Sequence, residues 1–170
     1  GGIHVSTGDL TISDSTISGN TAVGYGGGIS QNYSDNSIFS LGGSSVTNNQ
    51  VTGHDGDFLS GHGGGLSVQA PQSSIGSSII QDNTAVGSGG GMIVGGKPSF
   101  RFVTASVIDS TVSGNTAAFG GGISVSIANG NEADGSGVDI KNSTVDTNTA
   151  SVAGGGFASG PVQKLDLNHV

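Results

Sequence analysis

The sequence predicts an all-β chain: a right-handed parallel β-helix of about five coils with a partial sixth, three short strands per coil. Three observations carry this. A Gly-Gly-apolar mark recurs six times, an apolar-x-x-Asn mark recurs five times between its copies, and the apolar residues near the second mark alternate in twos. Self-similarity at a period of roughly 20–50 residues is the signature of a solenoid, and a period of two belongs to strands rather than to helices.

The first mark falls at Gly1-Gly2-Ile3, Gly27-Gly28-Ile29, Gly64-Gly65-Leu66, Gly90-Gly91-Met92, Gly121-Gly122-Ile123 and Gly155-Gly156-Phe157, with one more Gly before each of the last five. Glycine suits a coil corner, where the chain turns and stacked neighbours leave no room for a Cβ. A phosphate-cradling loop would need a following helix and usually a Lys, and neither is present.

The second mark ends at Asn20, Asn49, Asn83, Asn115 and Asn148. Counting back from each Asn gives a Ser column (Ser15, Ser44, Ser78, Ser110, Ser143) and an apolar column (Ile12, Leu41, Ile75, Val107, Ile140). The expected strands follow the glycines, run around Leu10 to Ile12, and end at the Asn. None can bury its apolar face alone, so successive coils must stack at about 4.8 Å. The Asn and Ser columns are expected to form structural ladders, each amide bonding backbone and the Asn of the next coil.

The expected coils run approximately over 1–25, 26–62, 63–88, 89–119 and 120–153, with a partial one over 154–170. They make a single β-helix segment, expected to be part of a longer chain because neither end reads as a cap.

Composition narrows the function classes. Glycine supplies 34 of 170 residues, and only 9% are charged, whereas disordered chains stay soluble through dense charge. A net charge of −8 argues against nucleic acid and anionic lipid as partners, since both need clustered Lys and Arg. The absence of Cys excludes disulfides and thiolate metal sites and fits a secreted bacterial protein. No apolar run is long enough to span a membrane within these residues.

The paired marks resemble the repeats of chlamydial polymorphic outer-membrane proteins and of autotransporter passengers, bacterial β-helix surface proteins. Those repeats alternate Gly-Gly-Ala-Ile with Phe-x-x-Asn; here Ile17, Val46, Ile80, Val112 and Val145 stand at the Phe position. The resemblance implies secretion, extracellular or cell-surface display and adhesion, with host or neighbouring-cell surface glycans or proteins as partners, rather than an active site.

Function in a solenoid concentrates in its loops. The longest departure, at 52–62, carries His54, Asp55, Asp57 and His62, whose chemistry suits a divalent cation although their spacing matches no strong motif. No cofactor is otherwise expected. Loops at 95–104 and 126–137 set Lys97 and Arg101 beside Glu132 and Asp134, an expected ion pair across coils, while Phe100, Phe102 and Tyr33 are candidates for stacking on sugar rings.

Polysaccharide lyases and hydrolases need paired carboxylates along one groove. The expected outward column of the glycine strand (His4, Ser30, Ser67, Ile93, Ser124, Ala158) holds no acid, and the second strand offers Asp139 and Asp166 only at its end. Asp9, Asp14, Asp82, Asp109 and Asp146 read as solvated surface carboxylates. Thr columns (Thr21, Thr84, Thr116, Thr149 and Thr16, Thr111, Thr144) are too interrupted for an ice-matching face. The expectation is therefore a passive extracellular scaffold, an adhesin-like stalk or surface filament segment capable of end-to-end self-association. The alternative is a carbohydrate-active enzyme or polysaccharide-binding module.

Overall fold

The computed structural model describes residues 1–32, 34, 36–53, 61–96, 103–127, 137–160 and 164–170. These form a parallel β-solenoid, and no helix occurs among them. Each inner strand pairs in parallel with its counterpart one coil earlier and one coil later, and each end strand with its single neighbour.

Four sheets run along the axis. The first stacks Ile3–Val5, Ile29–Gln31, Leu66–Val68, Met92–Gly96, Ile123–Ile127 and Phe157–Ser159. The second stacks Leu10–Ser13, Ile38–Gly42, Gln72–Gly76, Thr104–Ile108, Gly137–Lys141 and Lys164–Asn168. The third comprises Thr16–Ser18, Ser45–Thr47, Ile79–Gln81, Thr111–Ser113 and Thr144–Asp146. The fourth comprises Thr21–Ala22, Gln50–Val51, Thr84–Ala85, Thr116–Phe119 and Thr149–Ala153.

A full coil thus has four strands where three were expected. The third ends two residues before the Asn, and a fourth begins just after it. The cause is a residue at positive φ immediately before the Asn: Gly19, Asn48, Asp82, Gly114 or Thr147. That conformation turns the chain and ends the pleat.

Register aligns the apolar columns across coils. Ile12, Leu41, Ile75, Val107 and Ile140 pair in sequence and are all buried. Ile17, Val46, Ile80 and Val112 form a second buried row, as do Ile29, Leu66, Met92 and Ile123. Burying a side chain of this size contributes about 1.5–3 kcal/mol, so these rows supply the main force holding coil to coil.

Two inward positions are polar. Gln31 takes the place that Val68, Val94 and Val125 fill in later coils, and Ser73 follows Phe39 in its row. Gln31 Nε2 donates to Gly8 O (2.7 Å) and Ile38 O (3.3 Å), whereas Gln31 Oε1 and Ser73 Oγ have no partner among the described residues.

The expected outward column of the first sheet is not on the surface in the inner coils. Ser30, Ser67 and Ser124 are buried. The glycine that opens each turn folds back over the outer side of the strand: a Cβ at Gly120, whose φ is 57°, would run into Ile123 O and lie 3.0 Å from Ser124 Cα. Only glycine permits both that dihedral and that approach.

Candidate functional site: two ladders and a charged groove

The asparagines line one corner of the solenoid, between the third and fourth sheets. Asn49, Asn83 and Asn115 are buried, and Asn20 and Asn148 stand at either end of the row, both half-buried. Each Asn Oδ1 from the second coil onward accepts two bonds from the preceding Asn, one from its backbone N–H and one from its Nδ2. For Asn49 donating to Asn83 both are 3.0 Å, and for Asn83 donating to Asn115 they are 2.9 and 3.0 Å. The other Nδ2 proton goes to a carbonyl of the preceding coil: Asn49 to Ile17, Asn83 to Val46, Asn115 to Ile80, Asn148 to Val112, all at 2.8–2.9 Å.

The two sequence marks meet here. The glycine immediately before each of the first five first-sheet strands faces an Asn of the ladder: a Cβ at Gly91 would lie 3.0 Å from Asn115 Cγ and Nδ2 and 2.6 Å from Gly122 O. Gly2, Gly28, Gly65 and Gly122 stand in the same relation to Asn20, Asn49, Asn83 and Asn148.

The serines hold the corner between the second and third sheets. Each Oγ donates to the carbonyl two residues earlier, as in Ser78 to Gly76 O at 2.8 Å. Each from Ser44 onward also accepts the backbone N–H of the preceding Ser, as in Ser44 N to Ser78 Oγ at 3.2 Å. Ser15, Ser110 and Ser143 follow the pattern. Just before these serines the chain again takes positive φ, at Asp14, Gly43, Ser77, Asp109 and Asn142.

Asp14, Asp82 and Asp109 are therefore turn residues rather than incidental surface acids, since Asp and Asn tolerate this region better than other side chains. Asp9 also serves the backbone, because its Oδ1 accepts the Ile38 N–H at 2.9 Å.

Of the metal candidates, His54, Asp55 and Asp57 lie outside the described residues. His62 Nδ1 accepts the Ser88 N–H at 2.9 Å, and its ring lies 5.9 Å from that of Tyr25, tilted by 33°. Lys97, Arg101, Glu132, Asp134, Phe100, Phe102 and Tyr33 likewise lie outside the described residues.

A groove of about 620 Å³ lies along the outer face of the second sheet. Its floor includes Gln72, Ser74, Thr104, Ser106, Asp139 and Lys164. Register puts Ser40, Ser74, Ser106, Asp139 and Asp166 in one row. No protein-family model, curated protein or solved structure matches the chain.

The groove must therefore be read from its own chemistry. Asp139 and Asp166 stand opposite each other on adjacent strands, about 4.8 Å apart at the backbone by ordinary strand spacing. Like charges so placed repel, and a lysine flanks each: Lys141 Nζ is 3.2 Å from Asp139 Oδ2, and Lys164 Nζ is 2.8 Å from Asp166 Oδ2. The hydrogen bond and charge of Lys164 hold the Asp166 carboxyl below the usual carboxylate range, and Asp166 in turn raises the Lys164 ammonium above its ordinary value. Asp166 is thus suited to accept hydrogen bonds and not to deliver a proton near neutrality.

Among the described residues no three His, Asp or Glu side chains converge as a metal site, and no helix is long and apolar enough to cross a membrane. Asp139 and Asp166 stand out in the sequence, whereas their flanking lysines do not. The signal for the lysines is two alternating triplets, Asp139-Ile-Lys141 and Lys164-Leu-Asp166, in corresponding strands.

Proposed function

We propose that the chain is a passive extracellular scaffold, an adhesin-like stalk or surface filament segment. The supporting observation is the unbroken Asn row, in which each coil is bonded to the next through side chain and main chain together. A solenoid gains stiffness from such nearest-neighbour coupling, because bending the axis strains several bonds at each coil junction. Loops at 30–37, 52–62, 95–104 and 126–137 would make the contacts with surface glycans or proteins. Secretion and display rest on the cysteine-free, acidic composition and on the resemblance of the repeat marks to bacterial surface proteins.

One observation favours a second reading, carbohydrate processing: Asp139, which lines the groove, stands opposite Asp166 on the adjacent strand. Paired carboxylates about 5–5.5 Å apart serve retaining glycosidases. Incubating the protein with a panel of polysaccharides and assaying for new reducing ends separates the two. A scaffold releases none; release that disappears in Asp139→Asn and Asp166→Asn would overturn the proposal.

A further inference from the structure

The geometry points to the groove on the second sheet as a binding site for an uncharged, linear polysaccharide lying along the solenoid axis. Its size falls within the range of about 300–1,000 Å³ typical of small-ligand sites. The chemistry of the floor selects the occupant. One row offers the hydroxyls of Ser74 and Ser106 and then the Asp139 carboxylate; the neighbouring row runs Ile38, Gln72, Thr104, Gly137 and Lys164, polar groups interrupted by one apolar side chain and one glycine. The first row presents a polar group about every 4.8 Å, the rise from coil to coil. A ligand that satisfies such a rail must itself repeat hydroxyl groups at a comparable interval, as an extended chain of pyranose rings does.

Charge narrows the class. The two charged residues that line it, Asp139 and Lys164, sum to zero, and each is paired with a neighbour just outside, Lys141 and Asp166, so the floor presents balanced donors and acceptors instead of a field of one sign. The chain as a whole is acidic at −8, which repels polyanions such as uronic-acid polymers and nucleic acid. The Asp139 carboxylate can accept bonds from paired sugar hydroxyls, and charge-assisted bonds of this kind are the stronger ones. An added β-strand is not a suitable guest, because the floor strands from Ile38–Gly42 to Gly137–Lys141 are already paired on both edges.

The test is a ¹⁵N-NMR titration of the whole chain with hexasaccharides of cellulose, xylan, mannan and chitin, with oligogalacturonate as the charged comparison. Saturable shifts are expected for at least one neutral sugar, centred on Gln72, Ser74, Thr104, Ser106 and Asp139. At least a tenfold loss of affinity is expected in Ser74→Tyr, which fills the groove from an exposed position. Thr104→Arg, also at an exposed position, provides a second obstruction if Ser74→Tyr alters the fold. No shifts with any neutral sugar, shifts centred elsewhere, unchanged binding in the folded obstructed variant, or tighter binding of oligogalacturonate would each overturn it. The scaffold proposal stands or falls separately, on the reducing-end assay.

Discussion

Asn83→Ala tests the ladder most directly, because Asn83 is fully buried and uses its side-chain amide completely. Its Oδ1 accepts from the Asn49 backbone N–H and from Asn49 Nδ2, and its Nδ2 donates to Asn115 Oδ1 and Val46 O. A net hydrogen bond contributes about 0.5–1.5 kcal/mol, and a buried donor left without an acceptor costs about 1–3 kcal/mol. The partners differ in what they retain. Asn115 Oδ1 still accepts the Asn83 backbone N–H, and Asn49 Nδ2 keeps Ile17 O, but the Asn49 backbone N–H loses its acceptor. The expected loss is about 3–5 kcal/mol. Asn20→Ala removes two donated bonds, to Ser18 O and Asn49 Oδ1, at a corner that water reaches, and should cost only about 1 kcal/mol. Urea unfolding gives each stability change, and native-state hydrogen exchange locates it. Protection of the Asn49 amide should fall by roughly two orders of magnitude in Asn83→Ala, which is about 3 kcal/mol at tenfold per 1.4 kcal/mol. Equal losses below about 1 kcal/mol in both variants, or unchanged protection at Asn49, would refute the reasoning.

Gly91→Ala should destabilise by about 3 kcal/mol, because its Cβ meets the Gly122 carbonyl at 2.6 Å and a bonded amide, neither of which can retreat. Gly76→Ala, where a Cβ meets nothing within 4 Å, should be neutral or stabilise by about 0.5 kcal/mol; thermal melts of the two variants side by side check the contrast. Ser78→Ala removes one donated and one accepted bond and leaves the Ser44 N–H without its acceptor, an expected cost of about 2 kcal/mol by urea unfolding. The depressed Asp166 carboxyl contributes its stability above the unfolded-state pKa and loses it as pH falls through the folded value; the raised Lys164 contributes below its unfolded pKa and loses it as pH rises through the folded value. The carbon chemical shift of the Asp166 carboxyl should therefore titrate below the ordinary Asp range and move back up in Lys164→Met.

What the sequence makes legible, and what it hides, divides along a physical line. Ile12, Leu41, Ile75, Val107 and Ile140 can be recognised because burial tolerates only a few side chains and repeats them in every coil. The fourth strand escapes because Thr21–Ala22 and Gln50–Val51 are two residues long, too short for alternation to show. The corners at positive φ escape for the opposite reason: Asp14, Gly43, Ser77, Asp109 and Asn142 meet one backbone demand with four different residue types, so no column of identical residues forms. The burial of Ser30 and Ser67 is hidden as well, because a backbone turn covers them and leaves no apolar residue to mark it. At the end of the second sheet, Asp139 and Asp166 can be placed in one column, but the pairing that fixes their chemistry lies in Lys141 and Lys164, residues that read singly as surface charge.

The contact between the glycine and asparagine columns explains why neither mark occurs without the other in the first five coils. An Asn at that corner can reach both the next Asn and the preceding carbonyl only if its amide lies flat within the stack, and then the residue facing it must have no side chain. Gly28, Gly65, Gly91 and Gly122 meet that demand from about 20 residues away in sequence. The amide plane is in turn held by four bonds to two neighbouring coils, as at Asn83. A change at the glycine therefore acts through the amide on the coils before and after it. The two columns constrain each other as one element, and their combined loss in Gly91→Ala with Asn115→Ala should be smaller than the sum of the single losses, since removing the amide gives the new methyl group room.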